Sequence, residues 1–289
     1  MENEFNSNIV RKLYPISING INIKFPYKPY ENQINYMKKV IELLNDKLII
    51  NDHTKIGALE SPTGTGKTLS LLCSILGWFY EMKKLNKFHG KIIYTSRTHS
   101  QISQVINELK KTCYKPKIAV LSSREFSCVN EHLKKRYIDI NQLNIICRNI
   151  RKNRCIFKNQ FDDDIIDYLS LDEMPDIEDL CNKGKQNHFC PFYYQINKAQ
   201  KEAEMIFLPY NYLFNENIRN NIKLDLKNSI IIIDEAHNIR KVCEEEKSFE
   251  ISEKTFEEMI NELFTVLKNK EKKINEIEKI YQFQFYLSK

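Results

Sequence analysis

Ser61-Pro62-Thr63-Gly64-Thr65-Gly66-Lys67-Thr68 is the run of this chain in which residue type and spacing carry the most chemistry. Its glycines let the backbone curl until several N–H groups point at one anion. The spacing is that of a phosphate-binding loop, with Ser61 standing where the general pattern has Gly. A helix beginning near Lys67 adds the positive end of its dipole. In such a loop Lys67 reaches the β- and γ-phosphates of ATP and the Thr68 hydroxyl ligates Mg²⁺. The plain alternative is a Gly/Thr turn between a strand and a helix.

A second constellation complements the first. The apolar run Ile230 to Ile233 reads as a buried strand, and Asp234-Glu235-Ala236-His237 follows it directly. Asp234 is placed to hold Mg²⁺, mostly through water, and Glu235 to orient and deprotonate an attacking water. An acidic turn after a strand is common by itself. Paired with the loop at 61 to 68, and with His237 added, it points to a helicase-type ATPase.

Several elements must position these groups. Ile34, Met37, Val40, Ile41 and Leu44 recur at helical spacing from about Asn32 to Leu44, after a short extended piece from Ile21. Ile56-Gly57-Ala58-Leu59 leads into the loop, and an apolar helix runs from Thr68 to about Met82. A strand is expected from Lys91 to Thr95, a helix from Ser100 to Leu109 and a strand from Lys117 to Leu121. Such alternation is the mark of a parallel α/β sheet. It lapses from 122 to about 198, where cysteines, a basic cluster (Arg148 to Arg154) and an acidic stretch (Asp162 to Asp164) replace strand signals. It returns at Ala203 to Leu208 and Ser229 to Asp234, so an insertion inside a sheet domain is the economical reading. From Cys243 onward the pattern is charged and helical.

The chain has 289 residues, 42% apolar and 28% charged, which excludes wholesale disorder. No run reaches the ~18 apolar residues of a membrane-spanning helix, and MENEFNSNIV has neither the basic nor the apolar region of a secretory signal. A soluble intracellular protein with no membrane partner is expected. Lys and Arg number 44 against 38 Asp and Glu, a mild excess of +6 that permits an anionic partner without proving one. Eight cysteines in such a chain argue against a disulfide framework and for metal. Cys73 lies among Leu71, Leu72, Ile75 and Leu76 and reads as a small core residue, and Cys243 as structural. Cys128, Cys147, Cys155 and Cys190 lie in the irregular stretch, with Cys181 competing for the fourth place. None forms a close zinc-type pair; Pro191 after Cys190 and the cations around Cys147 and Cys155 suit an anionic iron–sulfur cluster. On chemistry alone a four-iron cluster, zinc and no metal all stay open.

KFPYKPYENQ, ESPTGTGKT, LSSREFSC, YTSRTHSQISQVINEL and IIIIDEAHNI together resemble the iron–sulfur superfamily 2 DEAH-type DNA helicases, the xeroderma-pigmentosum group D-like family. NGINIKFPYKPYENQ, DIEDLCNKGKQNHFCPFYY, AEMIFLPYNYLFN and DEAHNIRKVCEEEKSFEIS are most similar to its telomere-elongation-regulator branch. The resemblance covers roughly residues 18 to 260, and the family tolerates Ser at the position of Ser61. It implies a RecA-like P-loop sheet with helices on both faces, built from residues 1–121 and completed by residues 199–243. An iron–sulfur insertion at 122–198 interrupts the sheet, and the start of a helical arch-like subdomain follows at 244–289.

By position, the resemblance makes Gln33 the reader of adenine, with Tyr27 or Tyr30 packing nearby, and gives residues 61 to 68 to the nucleotide. It makes Thr68 and Asp234 the Mg²⁺ ligands, Glu235, Asp234 and Lys67 the catalytic groups, and His237 the link between hydrolysis and DNA movement. Thr95, Ser96, Arg97 and Thr98 match the segment that touches single-stranded DNA. Cys128, Cys147, Cys155 and Cys190 match the ligands of a structural [4Fe–4S] cluster, and Cys181 a position the family does not use. The implied activity is 5′-to-3′ translocation and unwinding of duplex, forked or D-loop DNA in repair or telomere maintenance, in the nucleus. The family's second RecA-like domain has no counterpart after Cys243, so a piece of a longer protein is expected. A stand-alone ATP- and DNA-binding module with little turnover is the alternative.

Overall fold

Asn19 and Gly20 both take left-handed φ, 48° and 81°. An Asn-Gly pair in that region matches the twist of two antiparallel strands, and β1 (Tyr14–Ile18) duly folds back on β2 (Ile21–Phe25) with Ile18 opposite Ile21. Ile21, Ile23 and Phe25 alternate inward with Asn22 and Lys24 outward, so the hairpin has one buried face. This computed structural model describes residues 13–46, 55–62, 64–136, 139–150, 155–158 and 174–269. Thr63, Arg151, Lys152, Arg154 and Asp162 to Asp164 lie outside the described residues.

After the hairpin come α1 (Glu31–Asn45), α2 (Lys67–Lys84), β3 (Ile92–Ser96), α3 (His99–Lys110) and β4 (Ile118–Val120). The irregular stretch folds as short helices: α4 (Arg124–Ser127), α5 (Glu131–Arg136), α6 (Ile140–Asn149), α7 (Ile177–Gln186), α8 (Pro191–Tyr194), a π-helical turn at Gln195–Ala199, and α9 (Gln200–Glu202). β5 (Met205–Pro209), α10 (Tyr210–Phe214), α11 (Glu216–Ile222), β6 (Ile230–Ile233), α12 (Ile239–Lys247) and α13 (Glu253–Asn269) complete the described order. Two compact units divide the chain, 1–242 and 243–289. Among the described residues no helix is long and apolar enough to cross a membrane.

Four parallel strands lie in the order β4-β5-β3-β6. Consecutive side chains of a strand point to opposite faces, so a sheet covered on both sides needs unbroken apolar runs. β3 and β5 supply them. Ile92, Tyr94, Met205 and Phe207 join Met37 and Ile41 of α1, Leu72 and Leu76 of α2 and Ile102 and Ile106 of α3 in one core. Ile93, Ile206 and Leu208 join Ala199, Tyr212, Leu213 and Ile222 in the other. Helices therefore cover both faces, as expected. Fully burying each of these Ile or Leu side chains contributes about 1.5–3 kcal/mol.

The two edges are treated differently. At β4 the backbone N–H of Val120 donates to Gln195 Oε1 at 2.9 Å, so a side chain from the π-helical turn satisfies an edge donor. At β6 the edge is open and Ile231 is half exposed. The strand–loop–helix context expected for residues 56 to 68 is realised only in its second half. Ile56 to Leu59 form no strand, and Ile56 is 87% exposed. Gly57 and Ala58 dilute the strand propensity of so short a run. Gly57 instead lies so close to Leu43 of α1 that a Cβ there would collide with it.

Glu204, just before β5, gathers three donors: Lys83 Nζ and Tyr80 Oη (3.3 Å) of α2 and the backbone N–H of Lys117 (3.1 Å) ahead of β4. Burial and this carboxylate together push the Tyr80 hydroxyl well above its ordinary pKa, so it stays a donor. Glu204→Ala removes the acceptor shared by Tyr80, Lys83 and the Lys117 N–H and loosens α2 from the sheet, and is expected to cost about 0.5–1.5 kcal/mol of stability, since water reaches the exposed donors. A urea midpoint unchanged within error would contradict that role.

Candidate nucleotide and metal sites

The loop at 61 to 68 takes its shape from left-handed φ at Gly64 (78°) and Gly66 (74°), and Gly66 caps α2. A side chain at Gly66 would be strained in φ and would collide with the Gln33 amide. Thr65 Oγ1 donates to the Pro62 carbonyl at 2.8 Å and accepts from Ser61 Oγ at 2.7 Å. Ser61, the departure from Gly, thus braces the loop from its base. From α2, Ser70 Oγ returns to the Gly66 carbonyl at 3.0 Å.

Gln33 is buried one turn into α1. Its Nε2 donates to the Thr65 carbonyl at 2.9 Å and its Oε1 accepts from the Tyr30 N–H at 3.0 Å. Both ends of the amide are thereby engaged with the chain's own backbone, fixing α1 against the loop. Tyr27 and Tyr30 are exposed beside it. A small pocket lies here, lined by Asn32, Gln33, Tyr36, Ser61, Thr65, Lys67 and Ser70. Thr68 follows Lys67 on α2, half-buried.

The acidic turn faces this pocket. Lys67 Nζ and Glu235 Oε1 are 3.6 Å apart, joining the start of α2 to the end of β6. The Asp234 N–H donates to the Thr95 carbonyl at 2.9 Å, extending the β3–β6 pairing by one bond, and Asp234 Oδ1 accepts the Glu235 N–H at 3.1 Å. Glu235 has φ 52°, a left-handed turn that swings its carboxylate toward α2. His237 Nδ1 lies 3.3 Å from Glu235 Oε2, and its Nε2 faces Asn238 Nδ2 at 3.0 Å. That pairing fits a neutral imidazole donating from Nδ1 to the carboxylate and accepting at Nε2.

Three tyrosines surround Asp234, and sequence reasoning passed over all of them. Tyr36 comes from α1, Tyr94 from β3 and Tyr210 from α10. Burial first, and then the Asp234 carboxylate, raise the pKa of each. Tyr36 sits three residues after Gln33, on the pocket face of α1. That spacing is the signal by which it could have been found.

Thr95 and Ser96 end β3 fully buried, with Ser96 Oγ bonded to Gln101 Oε1 at 2.9 Å. Neither can meet a strand of DNA at its surface. Of the four residues expected at the DNA strand, these two are therefore buried, on the covered faces of the sheet. Arg97 and Thr98 are exposed. Thr98 caps α3, accepting the Gln101 N–H at 3.3 Å while Gln101 Oε1 takes the Thr98 N–H at 3.2 Å. An exposed helix N-terminus beside an arginine suits a phosphate. His99 follows, its ring tilted at 55° against Phe126 with centroids 4.6 Å apart, and is held neutral by burial, its pKa lowered to about 4.

In the insertion, Cys128 follows α4, Cys147 lies on α6, Cys155 is buried and Cys190 is the N-cap of α8. Asn130 links two of them, its Nδ2 3.6 Å from Cys155 Sγ and its carbonyl 3.9 Å from Cys128 Sγ. Burial, with Cys147 and Cys155 as neighbours, raises the Cys128 thiol; burial, with Cys147 and Cys128 as neighbours, pushes Cys190 up to about 12. Lys158 Nζ holds the Cys147 and Ile150 carbonyls at 3.1 Å each. The Arg124 guanidinium covers the Phe192 ring at 3.9 Å. Cys181 instead turns its thiol to the Phe126 carbonyl at 3.3 Å. Among the described residues no three Cys, His, Asp or Glu side chains close round a point in the way that a single metal ion requires.

A glycine-turned loop at a helix N-terminus, facing an acidic turn at the end of a parallel strand, defines a P-loop nucleotide-binding module on a RecA-like sheet. A family model described as DEAD_2 matches residues 94–256. Among relatives, a regulator of telomere elongation helicase 1 homolog of Caenorhabditis briggsae is 42% identical over 275 residues, covering 85% of this chain and 27% of that protein. The regulator of telomere elongation helicase 1 of Homo sapiens is 37% identical over 273 residues, covering 82% and 22%. A solved XPD helicase superposes with a TM-score of 0.50 at 30% identity, covering 75% of this chain and 34% of that one. The chain belongs to the DEAD_2 family. It spans about a quarter of the length of the curated relatives it matches.

Proposed function

We propose that this chain is the N-terminal ATP-binding region of an ATP-dependent DNA helicase that couples hydrolysis to 5′-to-3′ movement on single-stranded DNA. The observation that carries the reading is the meeting of Lys67 and Glu235 at 3.6 Å, at the C-terminal ends of the strands, from which Arg97 and Thr98 also emerge. Lys67 and the N–H groups of the loop hold the β- and γ-phosphates of ATP. Thr68 and Asp234 hold Mg²⁺. Glu235 orients and deprotonates the attacking water, and His237, bonded to Glu235, links that step to DNA movement. Gln33 reads adenine by exchanging one of its two backbone bonds for the base edge. Arg97, Thr98 and the first turn of α3 take backbone phosphates of the strand.

Cys128, Cys147, Cys155 and Cys190 hold a [4Fe–4S] cluster in the insertion 122–198, which separates residues 1–121 from residues 199–243 of the RecA-like domain. What supports this reading is that Cys128 has Cys147 and Cys155 as neighbours and Cys190 has Cys147 and Cys128. Cations at Lys158 and Arg124 suit the charge of a thiolate-bound cluster. When bound, the cluster supplies a rigid structural centre that displaces the thiol protons. Residues 244–289 begin an arch-like helical subdomain. Telomere maintenance as setting, with the nucleus as address, is proposed from the relatives' name as regulators of telomere elongation, and forked or D-loop DNA as substrate, in repair or at telomeres, from the resemblance of the motifs alone.

Polarity is directly testable with the full-length protein. Duplexes bearing a 5′ single-stranded tail are expected to be unwound with ATP, and those bearing only a 3′ tail to stay paired. The opposite preference would overturn the proposed direction.

A further inference from the structure

The C-terminal ends of β5, β3 and β6 lie side by side, with Ser96 opposite Pro209 and Thr95 opposite Ile233. Immediately beyond them stand Tyr210, Arg97 and Asp234. Tyr210 crosses the end of the central strand: its buried side chain donates a hydrogen bond from the hydroxyl to the Asp234 carbonyl. That carbonyl belongs to the peptide whose N–H is Glu235's. Holding it fixes the plane of the peptide, and with it the left-handed φ that aims the Glu235 carboxylate at Lys67.

The Asp234 and Glu235 carboxylates and the Arg97 guanidinium all bear on the Tyr210 hydroxyl, and burial above all, with the two acids, pushes its pKa up to about 12. It is therefore a dependable donor at any physiological pH. Arg97 is exposed and next to the capped start of α3, and a phosphate bound there would neutralise its charge. One phenol thus touches the acidic turn while standing in the field of the segment that faces DNA.

Resting on the ATPase-helicase reading above, we propose that Tyr210 is a positioning residue that couples phosphate binding at Arg97 to the aim of Glu235. Strand engagement acts through the phenol on the Asp234–Glu235 peptide. The reach is short because Arg97 directly follows β3, the strand that lies between Tyr210 at the end of β5 and Asp234 at the end of β6.

Tyr210→Phe in the full-length protein keeps the ring and its packing and removes only the donor. The ratio of DNA-stimulated to basal kcat for ATP hydrolysis is expected to fall about three- to tenfold, the range of one lost hydrogen bond. The KM for ATP and the affinity for single-stranded DNA are expected to remain at wild-type values. An unchanged ratio would overturn the proposal, and so would a KM for ATP that rises in step with the loss. Wild-type protein without DNA stimulation would instead overturn the helicase reading itself, before Tyr210 was tested.

Discussion

Glu235→Gln in the full-length protein loses ATP hydrolysis by about 10²–10⁴-fold, the usual contribution of a positioned general base, while ATP still binds. The substitution keeps the size and planarity of the side chain, and an amide can still accept from His237. It removes the proton acceptor and the charge that faces Lys67 at 3.6 Å. Losing that charge releases Lys67 for phosphate, so ATP affinity is retained or improved. Turnover and nucleotide affinity must be measured separately. Hydrolysis surviving at wild-type rate would remove Glu235 from the role of base, and loss of ATP binding would make it a structural member of the loop.

Cys190→Ser is expected to abolish the iron–sulfur cluster. Cys190 is buried at the N-cap of α8, and among the described residues no other thiol stands in its place, because the Cys181 thiol is directed at the Phe126 carbonyl. Changes one shell outside a metal site already cost about 10–100-fold in affinity, so removing a ligand exceeds that. Brown protein with iron and sulfide in equal amounts is expected from wild type and from Cys181→Ser, and colourless protein from Cys190→Ser. DNA unwinding should fall with the colour, while ATP binding at the loop, on the other side of β3 in sequence and structure, should persist. A colourless wild-type protein purified without air and carrying zinc would contradict the assignment.

Elements whose logic is local were legible in the sequence. The helical spacing of Ile102, Val105, Ile106 and Leu109 gave α3, and the unbroken apolar runs of β3 and β5 marked strands with both faces covered, while that of β6 marked a strand of which Ile231 stays half exposed. The core place of Cys73 followed from its neighbours on α2. The first hairpin was missed although Asn19-Gly20 announces it and Tyr14, Ile16 and Ile18 alternate with Pro15 and Ser17, because a five-residue strand after a polar start holds too few repeats to stand out. The opposite error arose at Ile56 to Leu59, where an apolar run before the loop forms no strand.

The placement of the site residues was legible where motif and backbone coincide, as at Lys67, Asp234 and Glu235, which the structure brings together. It was obscure where the third dimension decides. Thr95 and Ser96 look like surface hydroxyls in sequence, yet β5 and β6 flank and bury them. Tyr36, Tyr94 and Tyr210 stand 58 and 116 positions apart in sequence and meet only because α1, β3 and α10 converge on the end of β6. Nor could spacing choose between Cys181 and Cys190; in the structure the Cys181 thiol turns to the Phe126 carbonyl, while Cys190 has Cys147 and Cys128 as neighbours.

The measurement closest to the central claim is ATP hydrolysis by the purified full-length protein, with and without single-stranded DNA, wild type beside Lys67→Ala. Hydrolysis is expected to rise with DNA in the wild type and to be lost with the lysine, since among the described residues no other cation lines the pocket at the start of α2. Hydrolysis that ignores DNA, or that survives Lys67→Ala, would contradict the assignment.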